Sequence, residues 1–240
     1  MLHQLYNGLT IVQSASALTF SVFYITHATQ FLAAPFGGIE ASNKYLLLGR
    51  PLYQDEHLEP ILVTGAASVH ILSGLAKGAI RQYWKRNSTT DLTPRSTVYH
   101  RRAGYALIPL VALHYTVARD LPQKYFGDST FLDYSYISFL LQNYPAITYI
   151  GHTALISIAS FHIAGGMNVA VKQLRGHKKQ QHQKDMQATS KPLVDPKRIP
   201  VYVSLVVSGL TLGGLYVLGR TEKIPLRREY ARIIQRITSN

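Results

Sequence analysis

Long uncharged apolar stretches alternate with short charged segments along this chain. A helix of about 20 mainly apolar residues crosses the hydrocarbon core of a bilayer, so stretches of this length predict membrane-spanning helices. Lys, Arg, Asp and Glu are absent before Glu40, from Ala103 to Ala118, from Tyr144 to Val171 and from Ile199 to Gly219. The pattern predicts an all-α integral membrane protein, and a soluble helical bundle is the alternative.

The apolar pattern predicts five membrane spans packed as a bundle. The second span is the least obvious one, because Gly65, Ala66, Ala67 and Ser68 lower its hydropathy. Small residues of this kind are common where membrane helices approach closely, so we expect this helix to be buried in the bundle. The predicted spans are Leu9–Ala34, Pro60–Ile80, Arg102–Ala118, Tyr144–Val171 and Ile199–Gly219.

The net charge is +13, and the charged residues lie mainly outside the predicted spans, in the loops and in the C-terminal tail. This separation of charge from apolar residues indicates basic loops, and we expect no nucleic-acid partner. Lys77–Arg102 and Lys172–Arg198 together hold 15 basic and 3 acidic residues, whereas Glu40–Glu59 and Arg119–Asp133 hold four basic and seven acidic ones. Because basic loops tend to stay in the cytosol, the N-terminus is predicted to be cytosolic.

Two basic segments are candidates for contact with the membrane surface. The loop Lys172–Arg198, with Lys178, Lys179 and Lys184, is able to bind anionic lipid headgroups. Orientation and solubility also explain its charge, and we prefer that interpretation. Residues 220–240 form a basic amphipathic tail, predicted to be an interfacial helix because Leu226, Tyr230, Ile233, Ile234 and Ile237 have helical spacing.

The four helices of the core form a duplicated two-helix unit. Residues 67–74 and 159–166 share the string A-S-x-H-I-x-x-G, centred on His70 and His162. His27 and His114 each precede a threonine by two residues and a proline by eight. The repeat halves are about 9–86 and 96–175, within a transmembrane domain of residues 1–219. Two parallel repeats pack most simply around a twofold axis along the membrane normal.

The repeat predicts two pairs of inward-facing histidines. A twofold axis places His27 opposite His114 and His70 opposite His162, at two levels of the membrane. Imidazole is a common axial ligand of haem iron, and polar side chains inside a membrane are usually functional. We therefore expect two bis-His haem b sites, with these four histidines as the iron ligands. Hydrogen bonding to a neighbouring helix is the alternative for each histidine alone.

Other residues complete the predicted haem sites. Gly74 and Gly166 lie one turn after their histidines, and a missing side chain there lets a porphyrin approach the helix. His100 lies at the interface and is a candidate partner for a haem propionate. His152 has no counterpart in the repeat and is interpreted as hydrogen-bonded. The chain has no cysteine, which excludes disulfides and thiol chemistry, and its composition does not favour zinc.

Two short motifs resemble those of succinate dehydrogenase cytochrome b subunits. His100-Arg101-Arg102-Ala103-Gly104 resembles the H-R-x-x-G motif of that family, and His162 with Gly166 resembles its H-x-x-x-G haem-ligand motif. Ser96 stands about one residue farther off than the family would place it. The diagonal scheme is similar to the five-helix cytochrome b of dihaem fumarate reductases. The resemblance implies a cytochrome b-like four-helix core and quinone exchange near Arg101.

The chain as a whole resembles a fungal mitochondrial outer-membrane family that acts in lipid homeostasis. The shared features are five spans, the histidine repeat, basic loops and the absence of cysteine. The resemblance implies an outer-membrane protein at membrane contact sites that suppresses loss of the ER–mitochondria tether and recruits a bulk lipid-transfer protein to its cytosolic face. That recruitment uses a Pro-x-Pro motif in an N-terminal extension, and Met1 to Gly8 contains no proline.

Two functional hypotheses follow from these features. The first is a lipid-homeostasis factor without enzymatic activity, in which haem is structural or regulatory. The second is a haem b oxidoreductase subunit that transfers electrons. The sequence contains no phosphate-binding glycine loop and no nucleophile motif, so it favours haem binding over a chemical step.

Overall fold

The computed structural model describes residues 1–87, 95–175 and 198–238, and the regular elements within these ranges are helical. Two short segments are π-helical: Pro60–Gly65, directly before the helix Ala66–Arg86, and Thr116–Asp120, directly after the helix Arg95–Tyr115. The α-helices are α1 (Leu2–Tyr53), α2 (Ala66–Arg86), α3 (Arg95–Tyr115), α4 (Leu121–Phe126), α5 (Tyr134–Asn143), α6 (Pro145–Arg175), α7 (Ile199–Gly219) and α8 (Arg228–Thr238).

Helix α1 is two helices joined at a glycine pair. Gly37 and Gly38 have non-helical backbone angles, and Gly38 has a φ of 61°, which favours glycine because a Cβ is strained there. The predicted first span, Leu9–Ala34, ends just before this break. Beyond it, Ser42 Oγ donates a 2.9 Å hydrogen bond to the carbonyl of Gln30, which ties the two parts of α1 together.

Within residues 1–87, 95–175 and 198–238, four helices are long and apolar enough to cross a membrane. They are Leu2–Tyr53, Pro60–Arg86, Pro145–Val171 and Ile199–Gly219, and they correspond to four of the predicted spans. The remaining prediction, Arg102–Ala118, is also helical, but Arg101, Arg102 and two histidines lower the hydropathy of α3. The membrane character of the chain is therefore confirmed, whereas the fifth span and the five-helix bundle stay predictions.

Large apolar side chains are exposed on these helices. In a soluble protein an apolar surface of this extent is rare, whereas lipid tails cover it in a bilayer. A bilayer is therefore the environment that this surface fits. Examples are Ile61, Leu72, Leu113, Ile147, Ile150, Leu205 and Val206.

The π-helical segment at the start of the second span explains Gly65. A methyl group added at Gly65 would collide with the backbone carbonyl of Pro60, five residues earlier. Because a π-helix brings residues i and i+5 together, only a residue without Cβ fits there. The second π-helical segment, Thr116–Asp120, begins two residues after His114.

The helices contribute to two compact units, and each unit takes segments from both predicted repeat halves. Unit 1 contains the described residues of Met1–Thr26, Arg50–Ala103 and Ser160–Leu205. Unit 2 contains the described residues of His27–Gly49, Gly104–Ala159 and Val206–Asn240. The repeat halves and the tail boundary remain sequence predictions.

In unit 2, the C-terminal helix packs on a helix that the hydropathy pattern did not predict. Tyr136 and Phe139 of α5 form an apolar core with Tyr230 and Ile233 of α8. Asp133 caps α5 by accepting a 2.8 Å hydrogen bond from the backbone N–H of Ser135. Tyr230 and Ile233, on the predicted apolar side of the tail helix, are completely buried in the protein, and the location of this helix at the membrane interface stays a prediction. Its arginines remain on the outer side of α8.

Candidate functional site

In unit 1, the structure brings His70 of α2 and His162 of α6 together. Their ring centroids are 6.0 Å apart, and the ring planes are 83° apart. Nδ1 of His70 lies 3.1 Å from the carbonyl oxygen of Gln13, and Nδ1 of His162 lies 3.1 Å from that of His100. A carbonyl only accepts hydrogen bonds, so both Nδ1 atoms carry the proton and both Nε2 atoms are available as metal ligands.

A third histidine joins this pair from α3. The His100 ring stacks on the His162 ring, with centroids 4.2 Å apart and planes 6° from parallel. Gly165 and Gly166 leave room for it, because methyl groups added there would lie 3.2 Å and 3.1 Å from His100 ring atoms. The space beside Gly166 therefore holds an imidazole. The role of Gly166 beside a porphyrin and the contact of His100 with a propionate stay predictions.

Gly74 of α2 also leaves room for a neighbouring side chain. A methyl group added at Gly74 would lie 2.8 Å from Nε2 of Gln13. The side chain of Gln13 thus packs against the helix one turn after His70, while its backbone carbonyl accepts the Nδ1–H of His70. Gln13 is a site residue that the sequence did not reveal, because a glutamine in an apolar stretch has no motif around it.

In unit 2, the structure brings His27 of α1 and His114 of α3 together. Their ring centroids are also 6.0 Å apart, and the ring planes are 57° apart. His27 is hydrogen-bonded to the side chain of Gln30. Gln30 is completely buried, and its Oε1 accepts a 3.1 Å hydrogen bond from the Tyr134 hydroxyl. A buried polar chain from α5 through Gln30 therefore orients His27.

His152 of α6 is the third histidine of unit 2. Its Nδ1 lies 2.8 Å from the carbonyl of Thr148, so it is hydrogen-bonded as predicted. Its ring also lies 6.3 Å from the His114 ring, at an interplanar angle of 89°. Among the described residues its buried Nε2 has no hydrogen-bond partner. The repeat could not predict this proximity, because His152 has no equivalent in the first half.

The residues of both pairs fit haem iron in type and spacing. An iron ion about 2 Å from each of two imidazole nitrogens separates the ring centroids by roughly 6 Å. Both pairs have this separation. Within residues 1–87, 95–175 and 198–238, no group of three His, Cys, Asp or Glu side chains converges to hold a metal ion. Two histidines suffice for haem, since the porphyrin supplies the remaining ligands.

The other candidates lie away from the histidine pairs or outside the described structure. Arg101 follows His100 on α3 and is partly exposed. His3 stacks on Trp84, with ring centroids 4.6 Å apart, and His57 is exposed between α1 and the second span. The central part of the loop Lys172–Arg198, with Lys178, Lys179 and Lys184, lies outside the described residues, as does the side chain of Ser96.

The second half of the chain matches a known family. Residues 109–223 match the family model described as MDM10-complementing protein 1, transmembrane domain. The matched region includes His114, His152 and His162 and extends through α7, whereas His27, His70 and His100 precede it. The match supports the resemblance to the mitochondrial lipid-homeostasis family.

The other comparisons add no relative. No curated protein matches the chain, and no solved structure does. The resemblance to dihaem cytochrome b subunits therefore rests on the short sequence motifs alone.

Proposed function

We propose that this chain is a mitochondrial membrane protein of lipid homeostasis whose two histidine pairs each bind a haem b. The observation that carries the haem part is the equal 6.0 Å separation of the ring centroids in both pairs. The pairs are those that the internal repeat predicts. The family match and the apolar helices support the lipid part.

His70 with His162 and His27 with His114 would hold the haem iron, and bound haem would supply one-electron redox chemistry. The surrounding residues prepare the ligands. The carbonyls of Gln13 and His100 fix the tautomers in unit 1. The side chain of Gln30 orients His27 in unit 2. Such supporting hydrogen bonds are typical of metal-binding histidines.

A haem assay with histidine variants tests this part of the proposal. The purified full chain is examined by a pyridine haemochrome assay and a reduced-minus-oxidised spectrum. We expect about two haems b per chain, and about one in each of the variants His27→Ala and His70→Ala. His57→Ala is the matched control, because that histidine is exposed and outside both pairs. A well-folded preparation without haem contradicts the haem assignment and leaves the lipid role unaffected.

The lipid part has an independent test in cells. The matched family is named for complementing MDM10, so the chain is expressed in cells that lack MDM10, and growth and mitochondrial phospholipid composition are measured. We expect restoration of both, with the protein in the outer membrane and its N-terminus accessible to protease from the cytosol. Capture of a lipid-transfer protein from the cytosolic face tests the adaptor role. Failure to restore growth at normal protein levels contradicts the lipid role.

Electron transfer is the second candidate function. It is favoured by the presence of two pairs with the same ligand spacing, because a relay needs more than one redox centre. This role predicts that a quinol reduces the haems within the turnover time of a respiratory enzyme. It also predicts that Arg101→Gln slows that reduction. Haems that a quinol does not reduce favour the structural or regulatory role.

A further inference from the structure

Lys77 is held in a fixed position within a membrane-spanning helix of unit 1. Its Nζ donates a 3.0 Å hydrogen bond to Oε1 of Gln13 and lies 5.1 Å from the centroid of the Tyr6 ring. Gly74 makes this possible, because the space beside it receives the Gln13 amide. Lys77 follows His70 by two helical turns, so both residues lie on the face of α2 that contacts α1. The ammonium group is therefore positioned by Gln13 and Tyr6.

Arg81 places a second cation one turn farther along the same face. Its guanidinium donates a 3.1 Å hydrogen bond to the Tyr6 hydroxyl. Trp84 packs against the same tyrosine, because its ring centroid lies 5.1 Å from that of Tyr6. The Trp84 centroid is also 4.6 Å from that of His3. Tyrosine and tryptophan concentrate where the membrane meets water, at the level of the lipid headgroups. The aromatic cluster thus indicates that Lys77 and Arg81 lie at that level.

The two cations have polar neighbours but no carboxylate partner among the described residues. Lys77 contacts the amide of Gln13 and the ring of Tyr6, and Arg81 contacts the hydroxyl of Tyr6, and all of these groups are uncharged. Like charges at positions i and i+4 of a helix repel each other. Both side chains are partly buried, which strengthens the repulsion because the local dielectric constant is lower than in water. A bound anion would remove this repulsion.

We infer that Lys77 and Arg81 form a site for an oxyanion carried by a membrane ligand. The oxyanion is either the phosphate of a phospholipid headgroup or a propionate carboxylate of a haem held at His70. The second source rests on the proposed haem function, and the first does not. Ammonium and guanidinium groups bind phosphate and carboxylate alike, whereas Gln13 and Tyr6 hold the two cations in place before the ligand arrives.

The single tryptophan of the chain reports on this site directly, because Trp84 belongs to the cluster. The purified full chain in phosphatidylcholine nanodiscs is titrated with phosphatidic acid while Trp84 emission is followed. We expect a saturable change whose midpoint rises at least about tenfold in Lys77→Gln/Arg81→Gln. Arg86→Gln is the matched control, an exposed cation near the end of the same helix, and should titrate as the wild type. Lys77→Arg and Arg81→Lys keep the charge and should retain binding.

The second arm of the experiment measures haem and uses the same variants without anionic lipid. The haem content and the reduction potentials of Lys77→Gln/Arg81→Gln are compared with those of the wild type and of Arg86→Gln. A lowered potential or loss of one haem, with an unchanged lipid titration, identifies the propionate as the ligand. An altered lipid titration with unchanged haem properties identifies the phospholipid. If the double variant folds and matches the wild type in both arms, the site is disproved. A wild type without haem disproves the haem function while the lipid arm still decides the site.

Discussion

His100 and His162 lie face to face, with ring centroids 4.2 Å apart, and the carbonyl of His100 accepts the Nδ1–H of His162. One residue of α3 thus contacts its partner on α6 through both its side chain and its backbone. The side chain supplies a parallel aromatic surface, and the backbone fixes the tautomer. Substitution of His100 removes the first contact and retains the second, so the two effects are separable.

The close packing of His100 against α6 predicts the effect of a methyl group at Gly166. In Gly166→Ala the new Cβ lies 3.1 Å from Cε1 of His100, so the ring has to shift. We expect this strain to offset the helix propensity that alanine gains, making the variant about 1 kcal/mol less stable than Gly151→Ala. Gly151 lies on the same helix with nothing within 4 Å of an added methyl group. Thermal unfolding in detergent measures the difference, and equal stability of the two variants would show that the ring moves freely.

The role of Gln13 predicts a variant that separates the anion site from the haem site. In Gln13→Ala the Lys77 ammonium loses its hydrogen bond, whereas the backbone carbonyl that orients His70 remains. We expect phosphatidic acid binding to weaken by about 1.5 kcal/mol, roughly tenfold, with unchanged haem content. Gln4→Ala changes an exposed glutamine of the same helix and serves as the control. Unchanged lipid binding in Gln13→Ala would show that Lys77 does not need to be fixed.

Gly214 of α7 lies against the backbone of α1 in unit 2. A methyl group added at Gly214 would collide with the backbone carbonyl of Phe31, whereas one at Gly213 meets nothing within 4 Å. Backbone atoms cannot yield as a flexible side chain does. We expect Gly214→Ala to lower the free energy of unfolding by about 2–3 kcal/mol and Gly213→Ala to leave it unchanged or raise it by up to about 1 kcal/mol. Chemical denaturation in detergent compares them, and similar midpoints contradict the close contact of the two helices.

The contact between α5 and α8 predicts that buried apolar groups stabilise the protein and that the tyrosine hydroxyl does not. Ile233→Ala removes a completely buried side chain and should cost about 2–4 kcal/mol. Tyr230→Phe removes a hydroxyl that has no hydrogen-bond partner within the described residues, so we expect no loss of stability. Limited proteolysis of the tail measures both effects. Rapid cleavage of Tyr230→Phe would show that the hydroxyl has a stabilising partner.

The same contact predicts a dependence on alkaline pH. Burial, followed by the negative charge of Asp133, raises the pKa of Tyr230 to about 12, and burial raises the pKa of Tyr136 as well. An unfolded tyrosine ionises near pH 10, so the unfolded state loses its protons first. The contribution of these tyrosines to the packing of α8 on α5 is therefore complete below about pH 10 and is lost as the pH rises toward 12. Absorbance titration of tyrosinate, with Tyr230→Phe as the control, checks this window.

The sequence predicted most of the long helices and the histidines that lie together. Blocks without charge locate membrane helices, and the internal repeat related His27 to His114 and His70 to His162. Features that depend on tertiary contacts were not predictable. The break at Gly37 and Gly38, the π-helical segments and the packing of α8 on α5 leave no hydropathy signal. The proximity of His152 to His114 and of the His100 ring to His162 was not predictable either, because a repeat relates only residues that have a counterpart.

Gln13 would couple the two proposed sites of unit 1, the haem site at His70 and the anion site at Lys77 and Arg81. Its backbone carbonyl accepts a hydrogen bond from His70, and its side chain accepts one from Lys77. A ligand at either position that displaces this residue changes the affinity at the other. Such coupling is reciprocal, so the factor by which an anionic lipid alters haem affinity equals the factor by which haem alters lipid affinity. The lipid composition of the surrounding bilayer would then change how much haem is bound at His70.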